Sequence, residues 1–147
     1  MSATGRILAI DYGTKKIGLA VTDPLQITAA PYTTIRYESR DEFLVQLREI
    51  IEDREVIRVV VGMPIGLSGK DTQFTEHVRE FVEWLRSEIS LPIATLDERF
   101  SSSDAKASLI QMGVKTGHNK ERVDAMAAAH LLRYYLDIQD ERNKSDA

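Results

Sequence analysis

The chain predicts a single α/β domain built on a mixed five-stranded sheet, the first three strands antiparallel and the later ones parallel, flanked by helices. Three observations point there. Successive β-favouring runs open the chain, amphipathic helical stretches then alternate with short apolar runs, and a long alanine-rich stretch closes it. The resulting order is β-β-β-α-β-α-β, with later strands joined by helical crossovers.

Arg6 to Asp11, Ile17 to Thr22 and Ile27 to Tyr37 are rich in Ile, Val, Thr and Tyr, and the turn-prone YGTKK separates the first two. They read as a hairpin followed by a third strand. Ser39-Arg-Asp-Glu42 has capping-box spacing, and Phe43, Leu44, Leu47, Ile50 and Ile51 then recur at helical intervals. Val56 to Val61 is wholly apolar except for Arg58, as a strand covered on both faces should be, and it runs into the glycine-rich GMPIGLSGKD. Phe74, Val78, Phe81, Val82, Leu85 and Ile89 form the stripe of a second helix, so Phe81 and Trp84 read as core rather than as a base-stacking platform. Pro92 to Leu96 supply the last strand, leading into DERF. A short helix is expected from Asp104 to Met112, stopped by Gly113, and a long one from Arg122 to Ile138. The domain is expected over residues 1–138, with 139–147 as a frayed tail.

At 147 residues, 43% hydrophobic and 29% charged, the chain suits one core. It has neither a signal-like apolar run near its start nor an apolar stretch of the ~20 residues a bilayer span needs, and it has no cysteine. A disulfide framework, a thiolate nucleophile and Cys-ligated zinc are thereby excluded, and a soluble, cytoplasmic protein is expected.

The net charge of −4 argues against coating nucleic acid by bulk electrostatics. Its distribution is uneven. Glu38 to Val56 carries seven acids against three arginines, whereas Arg99 to Arg122 carries five bases against two acids, leaving one region able to meet a polyanion.

Asp11, Glu98 and Asp124 each interrupt an otherwise apolar element. A carboxylate near a core must be paired with a cation, protonated or gathered around a metal, because its lost hydration costs several kcal/mol. Three from three elements suggest the metal. Oxygen donors without Cys or a His cluster favour Mg²⁺ or Mn²⁺, and a pair of such ions ~3.5–4 Å apart performs phosphoryl chemistry. The alanines around Asp124 fit a helix pressed close to a sheet, although ordinary packing explains them as well.

DYGTKKIGLAVTD, VVGMPIGLSGKD, DERFSSSDA and KERVDAMAAAHLL resemble, in order and spacing, the four blocks of the YqgF/RuvX family, whose fold is similar to RuvC resolvases and ribonuclease H. The resemblance covers nearly the whole chain. It implies an RNase H-like fold and a nuclease site with two divalent cations, Mg²⁺ or Mn²⁺, on Asp11, Glu98 and Asp124, Asp11 bridging the ions. It also implies maturation of the 5′ end of precursor 16S rRNA in ribosome biogenesis, or alternatively Holliday-junction resolution on branched DNA. Ribosomal precursor particles are then expected partners, with a monomer or homodimer as the working form. One departure lies at Leu67 to Asp71, where the family usually carries Asp-Gly-Ser. Glu121 occupies the position of a fourth ligand in RuvC-type sites, on the same helix face as Asp124, but reads as a solvated acid.

Candidate nucleic-acid contacts are Lys15 and Lys16 in the turn after Asp11, Arg99 beside Glu98, and Lys120 one turn before Asp124. His118 is a weaker phosphate candidate. Adjacent strand residues point to opposite faces, so only one of Asp97 and Glu98 can share a face with Asp11; periodicity leaves the choice open and the resemblance selects Glu98. Two rivals stand beside the nuclease. The first block also resembles the phosphate hairpin of actin-like ATPases, but one domain of this size lacks their second wall. A non-catalytic binding module would keep the fold without the chemistry.

Overall fold

A computed structural model describes residues 5–13, 15–64, 73–97 and 120–145, the side chains of 120–124 and 141–145 excepted. The strands are β1 (Arg6–Asp11), β2 (Lys16–Thr22), β3 (Ala29–Arg36), β4 (Val56–Met63) and β5 (Ile93–Asp97). The helices are α1 (Arg40–Asp53), α2 (Gln73–Glu88) and α3 (Lys120–Ser145). The expected short helix from Asp104 to Met112 lies outside the described residues.

The sheet order is β3-β2-β1-β4-β5, antiparallel for β1 with β2 and β2 with β3, parallel for β1 with β4 and β4 with β5. β1 is therefore the central strand, and Leu8 to Ile10 are completely buried. Alternation along it divides the core in two. Leu8 and Ile10 join Ile17, Leu19, Val59, Val61, Phe43, Leu47, Phe81 and Leu85 under α1 and α2. Ile7 and Ala9 join Ala20, Val60, Ala128, Leu131, Leu132 and Tyr135 under α3.

The two faces use different packing. Large rings fill the α1/α2 side, where Tyr12 lies 4.6 Å from Phe81 and 5.7 Å from Tyr37 between ring centroids. Small residues meet on the other side, where Ala128 and Ala129 of α3 face Ala9 and Ala20. With little side chain between them, helix and sheet backbones approach closely.

Ser39 caps α1 by accepting a bond from the Glu42 amide at 3.1 Å, the spacing that marked this start in the sequence. Arg48 donates to the carbonyl of Glu88 at 2.9 Å, tying α1 to the end of α2. The last helix continues past Ile138 to Ser145. Gln139 to Ser145 contain no glycine or proline and are mostly good helix formers, so nothing local stops the helix where the apolar stripe ends. Among the described residues, no helix is long and apolar enough to cross a membrane.

The β2–β3 connection is organised by Asp23. Its carboxylate accepts from the amides of Thr28 (2.7 Å), Ile27 (2.8 Å) and Leu25 (3.1 Å) and from the Thr28 hydroxyl (3.2 Å). These bonds, the Thr28 amide foremost, together hold its pKa below the ordinary value against the opposing effect of burial. A lowered folded pKa stabilises the loop fully above the unfolded aspartate value of about 3.9, and the effect is lost as pH falls through the folded value. Protection factors of the Leu25, Ile27 and Thr28 amides, taken relative to the intrinsic exchange rate at each pH, should thus fall in acid in the wild type, and already be low at neutral pH in Asp23→Ala. Ala128→Leu should lift α3 from the sheet and cost about 1–3 kcal/mol in a urea titration.

Candidate active site

Asp11 closes the central strand, and its parity with Ile7 and Ala9 assigns it to the face under α3. It is half-buried. Across β2 its registered partner is Gly18, and the β1–β4 register of Ala9 with Val60 and Ile10 with Val61, carried one step on, sets it beside Gly62. Gly62 is in turn registered with Leu96 of β5. The carboxylate thus stands in a row whose immediate neighbours on both sides have no side chain. Sequence reasoning met both glycines only as members of their motifs, DYGTKKIGLAVTD and GMPIGLSGKD, and gave neither a role beside Asp11, although a glycine inside a strand marks a place where something approaches closely.

The position of α3 follows from one bond and two rises. Arg58, registered with Ile7 near the start of β1, donates to the hydroxyl of Tyr135 at 2.9 Å. Ala125, Ala128 and Ala129 are buried as well, so one face of α3 covers the sheet from Ala125 to Tyr135. Asp124 precedes Tyr135 by about 16 Å of helix, while Asp11 follows Ile7 by about 13 Å of strand. The two lengths are comparable, and the backbone of Asp124 stands one turn before the buried Ala128 in α3.

The other expected residues divide. Glu98, Arg99 and His118 lie outside the described residues, as do the side chains of Lys120, Glu121 and Asp124. Lys15 is exposed in the turn after Asp11, and Lys16 is half-buried where β2 begins, registered with Arg36. Asp97 shares the parity of Ile93, which packs on the α1/α2 side, whereas Ala94 and Leu96 pack under α3. Asp97 and Asp11 are thus on opposite faces.

The turn itself is constrained. A Cβ on Gly13 would collide with the carbonyl oxygen of Lys16. Tyr12, next to Asp11 but on the far face, is anchored among Tyr37, Phe74 and Phe81. Burial, and secondarily Tyr37, push its phenol pKa up, so it stays a neutral packing ring. Beyond β4, the buried Thr75 hydroxyl donates to the Pro64 carbonyl at 2.6 Å, fixing the first turn of α2 to the end of β4.

Among the described residues no three His, Asp or Glu side chains gather as a metal group, two of the three expected acids having side chains outside them. The donor expected here is oxygen alone, and the glycines leave space beside the Asp11 carboxylate. Both properties suit a hard divalent cation.

The strand order and the helices on both faces define a ribonuclease H-like domain. Solved structures share it: RuvC of T. thermophilus in complex with a Holliday junction substrate matches with TM-score 0.56 and 14% identity over 91% of this chain and 96% of that one. Fowlpox virus resolvase with Holliday junction DNA matches with TM-score 0.57 and 10% identity over 91% and 98%. The chain belongs to the RuvX family, described as Holliday junction resolvase, whose model matches residues 5–138. A relative from Koribacter versatilis (strain Ellin345), named "Putative pre-16S rRNA nuclease", is 43% identical over 133 residues, 90% of this chain and 87% of the relative. One of the same name from Maridesulfovibrio salexigens is 40% identical over 131 residues, 89% and 97%.

Gly13→Ala should lower stability by about 1–3 kcal/mol in chemical denaturation, because the collision is with backbone that cannot rotate away.

Proposed function

We propose that this chain is a cytoplasmic, divalent-metal-dependent nuclease that hydrolyses phosphodiester bonds in maturing the 5′ end of precursor 16S rRNA, with Asp11, Glu98 and Asp124 as its catalytic and metal-holding acids. What supports the reading is Asp11 at the end of the central strand, on the sheet face that α3 covers, with Gly18 registered beside it. Glu98 completes the set by alternation: a strand continuing one residue past Asp97 would present it to the face of Ala94 and Leu96. The relatives named for pre-16S rRNA nuclease favour RNA as substrate.

In this mechanism the chain's own residues hold and orient. Strand pairing on both sides of β1 fixes the backbone beneath Asp11, so its carboxylate needs little reorganisation when charge develops nearby. Gly18 and Gly62 leave clearance for a sugar-phosphate backbone to come close. Lys15 and Lys16, with Arg99 and Lys120, would contact flanking phosphates and set register without reading sequence. Mg²⁺ or Mn²⁺, when bound by the three acids, supplies Lewis acidity at the scissile phosphate and an activated water.

Electrostatics support the same approach. The acidic helix α1 packs with Phe43, Leu44 and Leu47 on the face opposite α3, so its seven-acid neighbourhood does not oppose a polyanion arriving over Asp11. The family description favours a second reading, Holliday-junction resolution.

The test offers a labelled precursor 16S rRNA 5′ fragment and a four-way DNA junction, in parallel, to the wild type, Asp11→Asn and Asp97→Asn with Mg²⁺ or Mn²⁺. Asp11→Asn should lose at least about a hundredfold in RNA cleavage while unfolding like the wild type, and Asp97→Asn should keep most of the rate. Paired nicks in the junction, with the RNA intact, would select the resolvase. No metal-dependent cleavage of either would sink the nuclease reading in favour of a binding module.

A further inference from the structure

The open edge of the sheet lies on the side away from β5. β3 pairs with β2 and, among the described residues, has no second strand neighbour. Sheet edges are ordinarily blunted by proline, charge or a bulge, since their free amides and carbonyls can pair with another chain. Here those devices stand at the two ends of β3. Pro31 and a register shift between Leu19 and Ala20 protect its first part, and Arg36, 3.9 Å from Glu38, closes its last residue. Tyr32, Thr33, Thr34 and Ile35 between them carry none.

A groove of about 410 Å³ runs along that stretch, walled by Gln46, Glu49 and Ile50 of α1. Its wall is held in place. The Arg54 guanidinium lies 5.1 Å from the Tyr32 ring centroid, and its Nε donates to the Tyr32 hydroxyl at 3.3 Å. Charge then selects the occupant. The three arginines of the acidic segment are occupied, Arg40 over Trp84, Arg48 with Glu88 and Arg54 with Tyr32, while Glu49 makes no ion pair among the described residues. Nucleic acid would be repelled from such a wall, and a second copy adding its own β3 would bring a second acidic helix against the first.

We propose that the β3–α1 groove docks an extended, lysine- or arginine-bearing segment of a partner protein, which adds a strand to the sheet at Tyr32–Ile35 with its basic side chains toward Glu49. Backbone pairing gives the affinity and the acidic wall the selectivity, as in other strand-addition sites. The site is on the edge remote from β4 and β5 and stands independently of the nuclease reading.

The probe is a fluorescein-labelled nonapeptide alternating lysine with threonine and valine, beside its glutamate counterpart and a version N-methylated at alternate residues. Anisotropy titrations at low salt use the intact protein and Glu49→Lys, with hydrogen exchange as the footprint. The lysine peptide should bind and slow exchange at Tyr32–Ile35, the other two should not, and Glu49→Lys should weaken binding by about fivefold or more while unfolding and cleaving like the wild type. Equal binding by Glu49→Lys, a footprint elsewhere, protection of β3 by self-association without peptide, or an RNA nonamer protecting the same edge would each overturn the proposal.

Discussion

The close seating of α3 on β1 and β2 is the contact on which the rest of this molecule depends. Ala128 and Ala129 can meet Ala9 and Ala20 at short range because none of them carries more than a methyl group. Dispersion and burial at such a contact are modest per residue, but the whole stripe from Ala125 to Tyr135 shares them. Its consequence is geometric. A helix drawn this close covers the face of the central strand on which Asp11 stands between two glycines.

The opposite face is built for bulk and rigidity. Phe43, Phe81 and Tyr12 interlock beneath α1 and α2, and Arg48 and Arg40 clasp the two helices through Glu88 and Trp84. This division also separates charge. The acids of α1 are kept across the sheet from Asp11, so one small domain of net negative charge can present one face to a polyanion and another to a cation-bearing partner.

Much of this was legible locally. The β-favouring run of Ile7 to Asp11, the Ser39 cap and the stripe from Phe74 to Leu85 state their own structure, since backbone preference and side-chain period are properties of a few consecutive residues. The helix beyond Ile138 was not, because an apolar stripe reports where a helix packs and not where it stops. The place of Gly18 and Gly62 beside Asp11 was not legible for a related reason. Each looks like an ordinary small residue until the register sets it beside Asp11, and register belongs to pairs of strands distant in sequence.

By itself the sequence determined the α/β class, the strand and helix order, the acids that break apolar runs, and, through four ordered blocks, the family. Tertiary structure decided which faces Asp11 and Asp97 occupy, the seating of α3 on the sheet, and the open edge beside Glu49. The physical reason is that composition and periodicity act over one or two turns of chain, whereas a face, a register or an edge exists only after strands from across the chain have paired.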